Sequence, residues 1–151
     1  MDSLNRNRFQ LIFYHCLLPL LAGGLLYVLF RTKALRMFHW FSLLGIDEFI
    51  FLIRENLSQL KILLPPWVYY SLPDALWVYA FSSSFLILWE GRLNLWLSIP
   101  FFTGVLVEIA QGVKIFPGTF DLIDLCLTSI SLLLSILVMK SKFNYNEKTN
   151  S

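Results

Sequence analysis

Charged side chains are scarce in this sequence, where they make up 15% of 151 residues while hydrophobic residues make up 57%. A soluble domain carries about 25% charged residues, so the shortage argues against a soluble fold. The apolar residues also lie in long runs instead of alternating with polar ones, a pattern that a buried soluble core does not explain. The composition therefore predicts an integral membrane protein.

The sequence also lacks the motifs of several functional classes. Its two cysteines, Cys16 and Cys126, lie in separate apolar runs, which argues against a disulfide framework or a cysteine metal site. Glycine-rich phosphate loops and nucleophile elbows are missing. The net charge is only +2 and no basic patch with interleaved aromatic residues occurs, so we expect no nucleic-acid partner. We expect no cofactor, whereas the question of a bound metal ion stays open.

Apolar runs long enough to cross a bilayer are what the sequence does contain. We predict an all-α membrane helical bundle in residues 1–139, surrounded by membrane lipid, followed by a polar tail at 140–151. Its four transmembrane helices are expected at about 9–30, 72–89, 93–111 and 120–139. Short connections make the last three helices antiparallel neighbours. Lysine and arginine are divided equally between the two predicted sides, so the positive-inside rule leaves the orientation open.

The segment between the first two predicted spans is interpreted as an interfacial amphipathic helix at about 47–64, ended by Pro65-Pro66. Its apolar residues fall on one stripe, as in helices that lie at a membrane surface. Alternatively, residues 37–53 form a re-entrant segment or a fifth span. Asp47 and Glu48 would be costly inside a membrane, which favours the interfacial interpretation.

Several acidic and polar residues should meet at one end of the last three predicted spans. One carboxyl opens the second span, a carboxyl and an amide close the third, and two carboxyls open the fourth, so antiparallel packing places them on one side. A polar stripe then continues into the fourth span, and Gly104 allows the third and fourth helices to approach closely. We predict a ligand-binding pocket formed by Asp74, Glu108, Gln111, Asp121, Asp124 and Thr128.

Ionisable groups are costly within a membrane, so these carboxyls need compensation. Three kinds are open: protonation of a carboxyl, a bound cation that is either a metal ion with oxygen ligands or part of a larger ligand, and helix capping. Capping suits Asp121 and Asp124, which lie in the first turn of their span. It does not suit Glu108, which lies near the carboxyl end of its own helix, so we predict a specific partner for Glu108.

Two segments carry a resemblance to a known family. Residues 108–111 read Glu-Ile-Ala-Gln and residues 116–125 read Phe-Pro-Gly-Thr-Phe-Asp-Leu-Ile-Asp-Leu. Together they resemble the carboxyl half of VanZ-like membrane proteins, in which a Glu-x-x-Gln leads through a Pro-Gly turn to an Asp that opens the next span. Asp74, with Tyr79 behind it, resembles the earlier acidic motif of that family. The resemblance covers about residues 73–134 and implies a bacterial cytoplasmic-membrane protein that acts at the cell envelope.

Three functional hypotheses follow. In the first, a non-enzymatic envelope protein binds a lipid-linked or cationic ligand in its acidic pocket. In the second, an intramembrane hydrolase or transferase uses Glu108 and Asp124 on a lipid substrate, as an acid/base pair or as metal ligands. Against it, the predicted cluster contains no His or Arg to hold a phosphate. In the third, the chain is a small subunit of a larger membrane complex, and a membrane-protein partner contacts phenylalanines that would otherwise face lipid: Phe81, Phe85, Phe101 and Phe102.

Overall fold

The computed structural model describes residues 8–31, 36–115 and 119–150, except for the side chains of Arg36 and of residues 144–150. All regular structure in this part of the chain is helical. Proline in the first turn marks the starts of α5, α6 and α7, where its missing N–H has no intrahelical partner to lose. In chain order the helices are α1 (Arg8–Phe30, with a π-helical stretch at Phe13–Leu17), α2 (Arg36–Leu43), α3 (Asp47–Asn56), α4 (Leu60–Leu63), α5 (Pro66–Tyr70), α6 (Leu72–Leu88), α7 (Ile99–Gly112, preceded by a 3₁₀ turn at Leu95–Ser98) and α8 (Leu122–Asn150).

Three of these helices are long and apolar enough to cross a membrane. They are α1 with 23 residues, Leu95–Gly112 with 18 and the Leu122–Phe143 part of α8 with 22. Large apolar side chains cover their outer surfaces, and soluble proteins rarely expose continuous apolar surface on this scale. The prediction of an all-helical protein is therefore confirmed for the described residues, and three of their helices have the length and composition to span a membrane. Helix α6 is equally apolar but has only 17 residues.

Helix α6 lies at the centre of the bundle and packs against α1, α7 and α8. Its small residues, among them Ala75, Ala80, Ser82 and Ser83, are buried and let the neighbouring helices approach. The opposing face of α1 carries Gly23, where an added Cβ atom would lie 2.9 Å from the Trp77 ring. Close packing, rather than a continuous apolar stripe, therefore holds α6 in place.

Antiparallel packing gives the bundle two different ends. At what we call the closed end, α6 turns towards α7 through Glu90 and Gly91, which have φ angles of 53° and 78°. The Gly91 N–H donates a 2.7 Å hydrogen bond to the Leu86 carbonyl, and Arg8 forms an ion pair with Glu90. A cluster of buried side chains fills this end: Leu11, Leu86, Ile87, Leu97 and Met139. At the other end, called the cavity end, α1 and α7 finish and α6 and α8 begin.

The segment between α1 and α6 differs from the single helix predicted at 47–64. Helix α3 begins at Asp47, as expected, but ends at Asn56, and α4 covers only Leu60–Leu63. The break follows from local competition for carbonyl groups, because the Ser58 hydroxyl donates a 2.7 Å hydrogen bond to the Glu55 carbonyl. A turn at Gly45 (φ 68°) separates α2 from α3, so residues 37–53 form two helices that are each too short to be a fifth span.

Helix α8 continues to Asn150, so most of the predicted polar tail at 140–151 is helical. No proline or glycine interrupts residues 140–150, and Phe143 packs against Gly91 of the closed end. The Pro-Gly turn at residues 116–118, which belongs to the segment that resembles the VanZ-like family, lies outside the described residues.

Candidate functional site

A cavity of about 1050 Å³ opens at the cavity end between α1, α6, α7 and α8. All six residues predicted for the pocket line it: Asp74, Glu108, Gln111, Asp121, Asp124 and Thr128. Thr128 is buried, and its Cγ2 lies 3.3 Å from where a Cβ would stand on Gly104, so this glycine permits the close approach of α7 to α8. The structure thus brings the predicted residues together, while their role in binding stays a prediction.

Glu108 has a partner that the sequence interpretation did not foresee. Its Oε2 accepts a 3.0 Å hydrogen bond from the backbone N–H of Asp121, and the residue is only 7% exposed. Asp121 in turn accepts a 2.9 Å bond from the Ile123 N–H, which caps the start of α8. Capping was excluded for Glu108 because it lies at the end of α7. A specific partner was predicted instead, and Glu108 has one in the Asp121 N–H, because a carboxyl at the end of one helix can satisfy the chain entering the next.

Asp124 is the carboxyl that is least compensated. It lies in the first turn of α8, beside the carboxyl of Glu108, and its electrostatic interaction extends to Asp74. Its Oδ1 atom is buried and accepts no hydrogen bond from any described residue. A buried carboxylate oxygen without a donor or cation carries an energetic cost, so the arrangement favours a positively charged occupant or a bound proton.

Arg31 also lines the cavity, which contradicts the expectation that the cluster contains no arginine. Its Nη2 donates hydrogen bonds to the Tyr70 carbonyl at 2.9 Å and to Asp74 Oδ2 at 3.3 Å. The guanidinium carbon lies 5.1 Å from the centre of the Tyr27 ring and 5.6 Å from that of Tyr70. The signal was available in the sequence, because Arg31 directly follows the first predicted span and the predicted four-span topology puts it on the side of Asp74.

Arg54 of α3 holds the end of α1 and so fixes the position of Arg31. Its Nη2 donates a 2.7 Å hydrogen bond to the Arg31 carbonyl, and its Nη1 donates to the Val28 carbonyl. Partial burial lowers the pKa of Arg54, although a guanidinium stays charged at neutral pH. A cation at the carboxyl end of a helix also interacts favourably with the helix dipole. The sequence pattern of α3 gave no indication of this contact.

Towards the closed end, the cavity becomes apolar. There it runs between α6 and α7, which contribute Phe81, Phe85, Ile99 and Pro100 to its walls. Thr103 is also present, but its hydroxyl already donates a 2.9 Å bond to the Ile99 carbonyl. Helix α7 is only loosely packed, since Glu108 is its one buried residue within the described part of the chain. Phe81 and Phe85 thus line the cavity, instead of facing only lipid or a partner.

A separate polar contact lies outside the cavity. His15 Nδ1, in the π-helical stretch of α1, is 2.8 Å from the Tyr79 hydroxyl of α6. This hydrogen bond joins the two helices. It satisfies two polar groups that would otherwise be costly in an apolar environment.

The chemistry of the cavity is defined by its charged lining. Among the described residues, four carboxyls and one guanidinium line it. Within the same residues, no group of three or more His, Cys, Asp or Glu side chains is arranged to hold a metal ion. A comparison of the chain with protein-family models, with curated proteins and with solved structures found no match. The function of the cavity is therefore inferred from its geometry.

Proposed function

We propose that this chain is a VanZ-like, multi-span protein of the bacterial cytoplasmic membrane that binds a lipid-linked or cationic envelope ligand without catalysing a reaction. The observation that carries the proposal is the imbalance of charge in the cavity. Arg31 pairs with Asp74, and backbone N–H groups satisfy Glu108 and Asp121 in part. Asp124 is left without a cation among the described residues. A positively charged group in the cavity would compensate it.

The location of the cavity supports a ligand that comes from the membrane. Its charged end lies where the apolar helices α1 and α7 finish, at the level expected for lipid headgroups. In this proposal α6 is the fourth crossing helix, because 17 residues are at the lower limit for a span of about 17–25 residues. Both termini are then on the same side of the membrane, which reporter fusions at each terminus can test.

The binding proposal is tested with two cavity variants and one control. Asp124→Asn and Glu108→Gln remove charge with little change of shape. Glu55→Gln makes the same change at an exposed carboxyl of α3 that does not line the cavity. We expect all three proteins to insert and fold, and both cavity variants to lose the ligand that copurifies with the unmodified protein from bacterial membranes. Equal ligand recovery from all four proteins would contradict the proposal.

A second candidate function is an intramembrane hydrolase or transferase that acts on a lipid phosphate. The position of Arg31 favours it, because a guanidinium binds a phosphate well and the sequence interpretation lacked such a group. Neighbouring carboxyls such as Glu108 and Asp124 can act as an acid/base pair when their environments differ. Phosphate or headgroup release by the purified protein, abolished by Asp124→Asn, would favour this function over binding alone.

A further inference from the structure

The cavity changes from charged to apolar along its length. Its charged lining comes from the first turn of α6 and the last turn of α7, at Asp74 and Glu108, together with the start of α8. Its apolar lining reaches Phe85 on α6 and Ile99 on α7. From Asp74 to Phe85 the helix rises by about 16 Å at 1.5 Å per residue. The cavity is therefore a groove with one charged end, a shape that fits an amphiphile better than a small soluble ion.

The charged end presents groups of both signs. Glu108 and Asp124 are hydrogen-bond acceptors, so an ammonium group with N–H donors can satisfy them better than a quaternary ammonium group without any. Arg31 faces the same space, and its Nε atom is buried without an acceptor among the described residues. A guanidinium that lines a cavity suits a phosphate. Charge complementarity thus calls for an ammonium group and a phosphate in one headgroup.

The loose packing of α7 leaves room for a hydrocarbon chain beside that headgroup. Val107 of α7 lines the groove, whereas its neighbour Leu106 lies on the outer surface of the same helix and is 64% exposed. These two consecutive residues therefore lie on different surfaces of α7, since Val107 faces the groove and Leu106 faces lipid. Val107 is 41% exposed and is adjacent to Glu108, so bulk added there would enter the groove where the headgroup meets the chain, whereas bulk added at Leu106 would extend into lipid.

Building on the proposed binding function, we infer that the ligand is a lipid whose headgroup carries a phosphate and a primary ammonium. The phosphate lies towards Arg31 and the ammonium towards Asp124 and Glu108. One hydrocarbon chain lies between α6 and α7. No bond is made or broken.

Native mass spectrometry of the purified protein tests this assignment. The protein is exposed to an equal mixture of phosphatidylethanolamine, phosphatidylcholine and phosphatidylglycerol with identical chains, and separately to phosphoethanolamine, which has the headgroup without a chain. We expect retention of phosphatidylethanolamine over the other two lipids by about tenfold, the effect of one hydrogen bond to a charged group. Asp124→Asn should lower that retention about tenfold for the same reason.

Three matched pairs of variants complete the test. Val107→Trp should lose the lipid and Leu106→Trp should keep it. Arg31→Gln should lose phosphatidylethanolamine, whereas Arg92→Gln, at an exposed arginine of the closed end, should not. Thermal unfolding in detergent confirms that each variant is folded before its lipid content is compared.

The outcomes separate this inference from the proposed function. The lipid assignment is overturned if phosphatidylcholine is retained as well as phosphatidylethanolamine, or if phosphoethanolamine binds as tightly as the whole lipid. In either case the proposal of a cationic ligand still stands if Asp124→Asn weakens binding. Lipid retention that is the same in Val107→Trp and Leu106→Trp also overturns it. The absence of any binding that depends on Asp124 overturns both the assignment and the proposed function.

Discussion

The two ends of the bundle are built in opposite ways. The closed end is filled by a cluster that includes Leu86 and Met139, and its turn has its backbone groups paired. The cavity end keeps an open volume and several buried polar atoms without partners among the described residues, such as Asp124 Oδ1 and Trp77 Nε1. Packing and polar satisfaction generally stabilise a fold, and exceptions concentrate at functional sites. We therefore expect the closed end to determine stability and the cavity end to determine binding.

The largest effect on stability is expected from Leu86→Ala. Leu86 is 1% exposed at the centre of the closed end, so truncation leaves a cavity and should lower the free energy of unfolding by about 2–5 kcal/mol. Leu88→Ala is the matched control on the same helix, because Leu88 is 69% exposed. Unfolding monitored by circular dichroism in detergent measures both. Equal losses in the two variants would show that the closed end does not dominate stability.

Gly23→Ala is expected to have the next largest effect. The added methyl group would lie 2.9 Å from the Trp77 ring, so the ring or α1 must move, at a cost of about 1–3 kcal/mol. Gly24→Ala is the control, because no described atom outside its own stretch of helix lies within 4 Å of the added group. In thermal unfolding, the unfolding temperature of Gly23→Ala should be lower than that of the unmodified protein, and that of Gly24→Ala should be equal or higher. The reverse order would contradict the described contact between α1 and α6.

Asp124→Asn should separate stability from binding. Removing the charge of a carboxyl whose buried Oδ1 atom accepts no hydrogen bond from the described residues should raise the free energy of unfolding by about 1 kcal/mol while it weakens ligand binding. Asp121→Ala should instead lower the free energy of unfolding by about 0.5–2 kcal/mol, because it removes a helix cap. Both values come from unfolding of the ligand-free protein. A clear loss of stability in Asp124→Asn would mean that this carboxyl has a structural role.

The smallest effect is expected at the Arg8–Glu90 ion pair. Both side chains are at least half exposed, and such pairs contribute about 0–1 kcal/mol. Arg8→Gln should therefore change neither the unfolding temperature nor lipid retention by a measurable amount. A loss of binding in this variant would show that the two ends of the bundle are coupled. It would contradict the expectation that the closed end determines stability and the cavity end determines binding.

Much of the fold could be predicted from apolar runs and their limits. The bounds of α1 and α6 lie within one residue of the expected segments, as strong periodic or continuous patterns allow. Helix α7 also ends within one residue of the expected position, but it begins six residues later than expected, after the 3₁₀ turn at Leu95–Ser98. Antiparallel connectivity also placed Asp74, Glu108 and Asp124 at one end, and all three line the cavity. Local patterns failed where the chain folds back on itself. The break after Asn56 depends on side-chain competition for carbonyls that a hydrophobic stripe does not reveal.

The partners of individual polar groups were the least predictable part of the site. Glu108 was expected to have a specific partner, but the sequence did not indicate that this partner is the Asp121 N–H, a contact set by the three-dimensional approach of two helices. Arg31 was not among the residues predicted for the cavity. Its position depends on Arg54, which reaches the end of α1 from a different helix. Such contacts between distant segments are not encoded in the spacing of residues along one helix.

The most direct test of the account is a crystal structure grown in a lipidic phase that contains phosphatidylethanolamine. The account predicts continuous ligand density that begins beside Asp124 and Arg31 and follows the groove between α6 and α7 as far as Phe85. A groove closed by direct packing of α7 on α6, with the carboxyls of the cavity end facing only water, would contradict it.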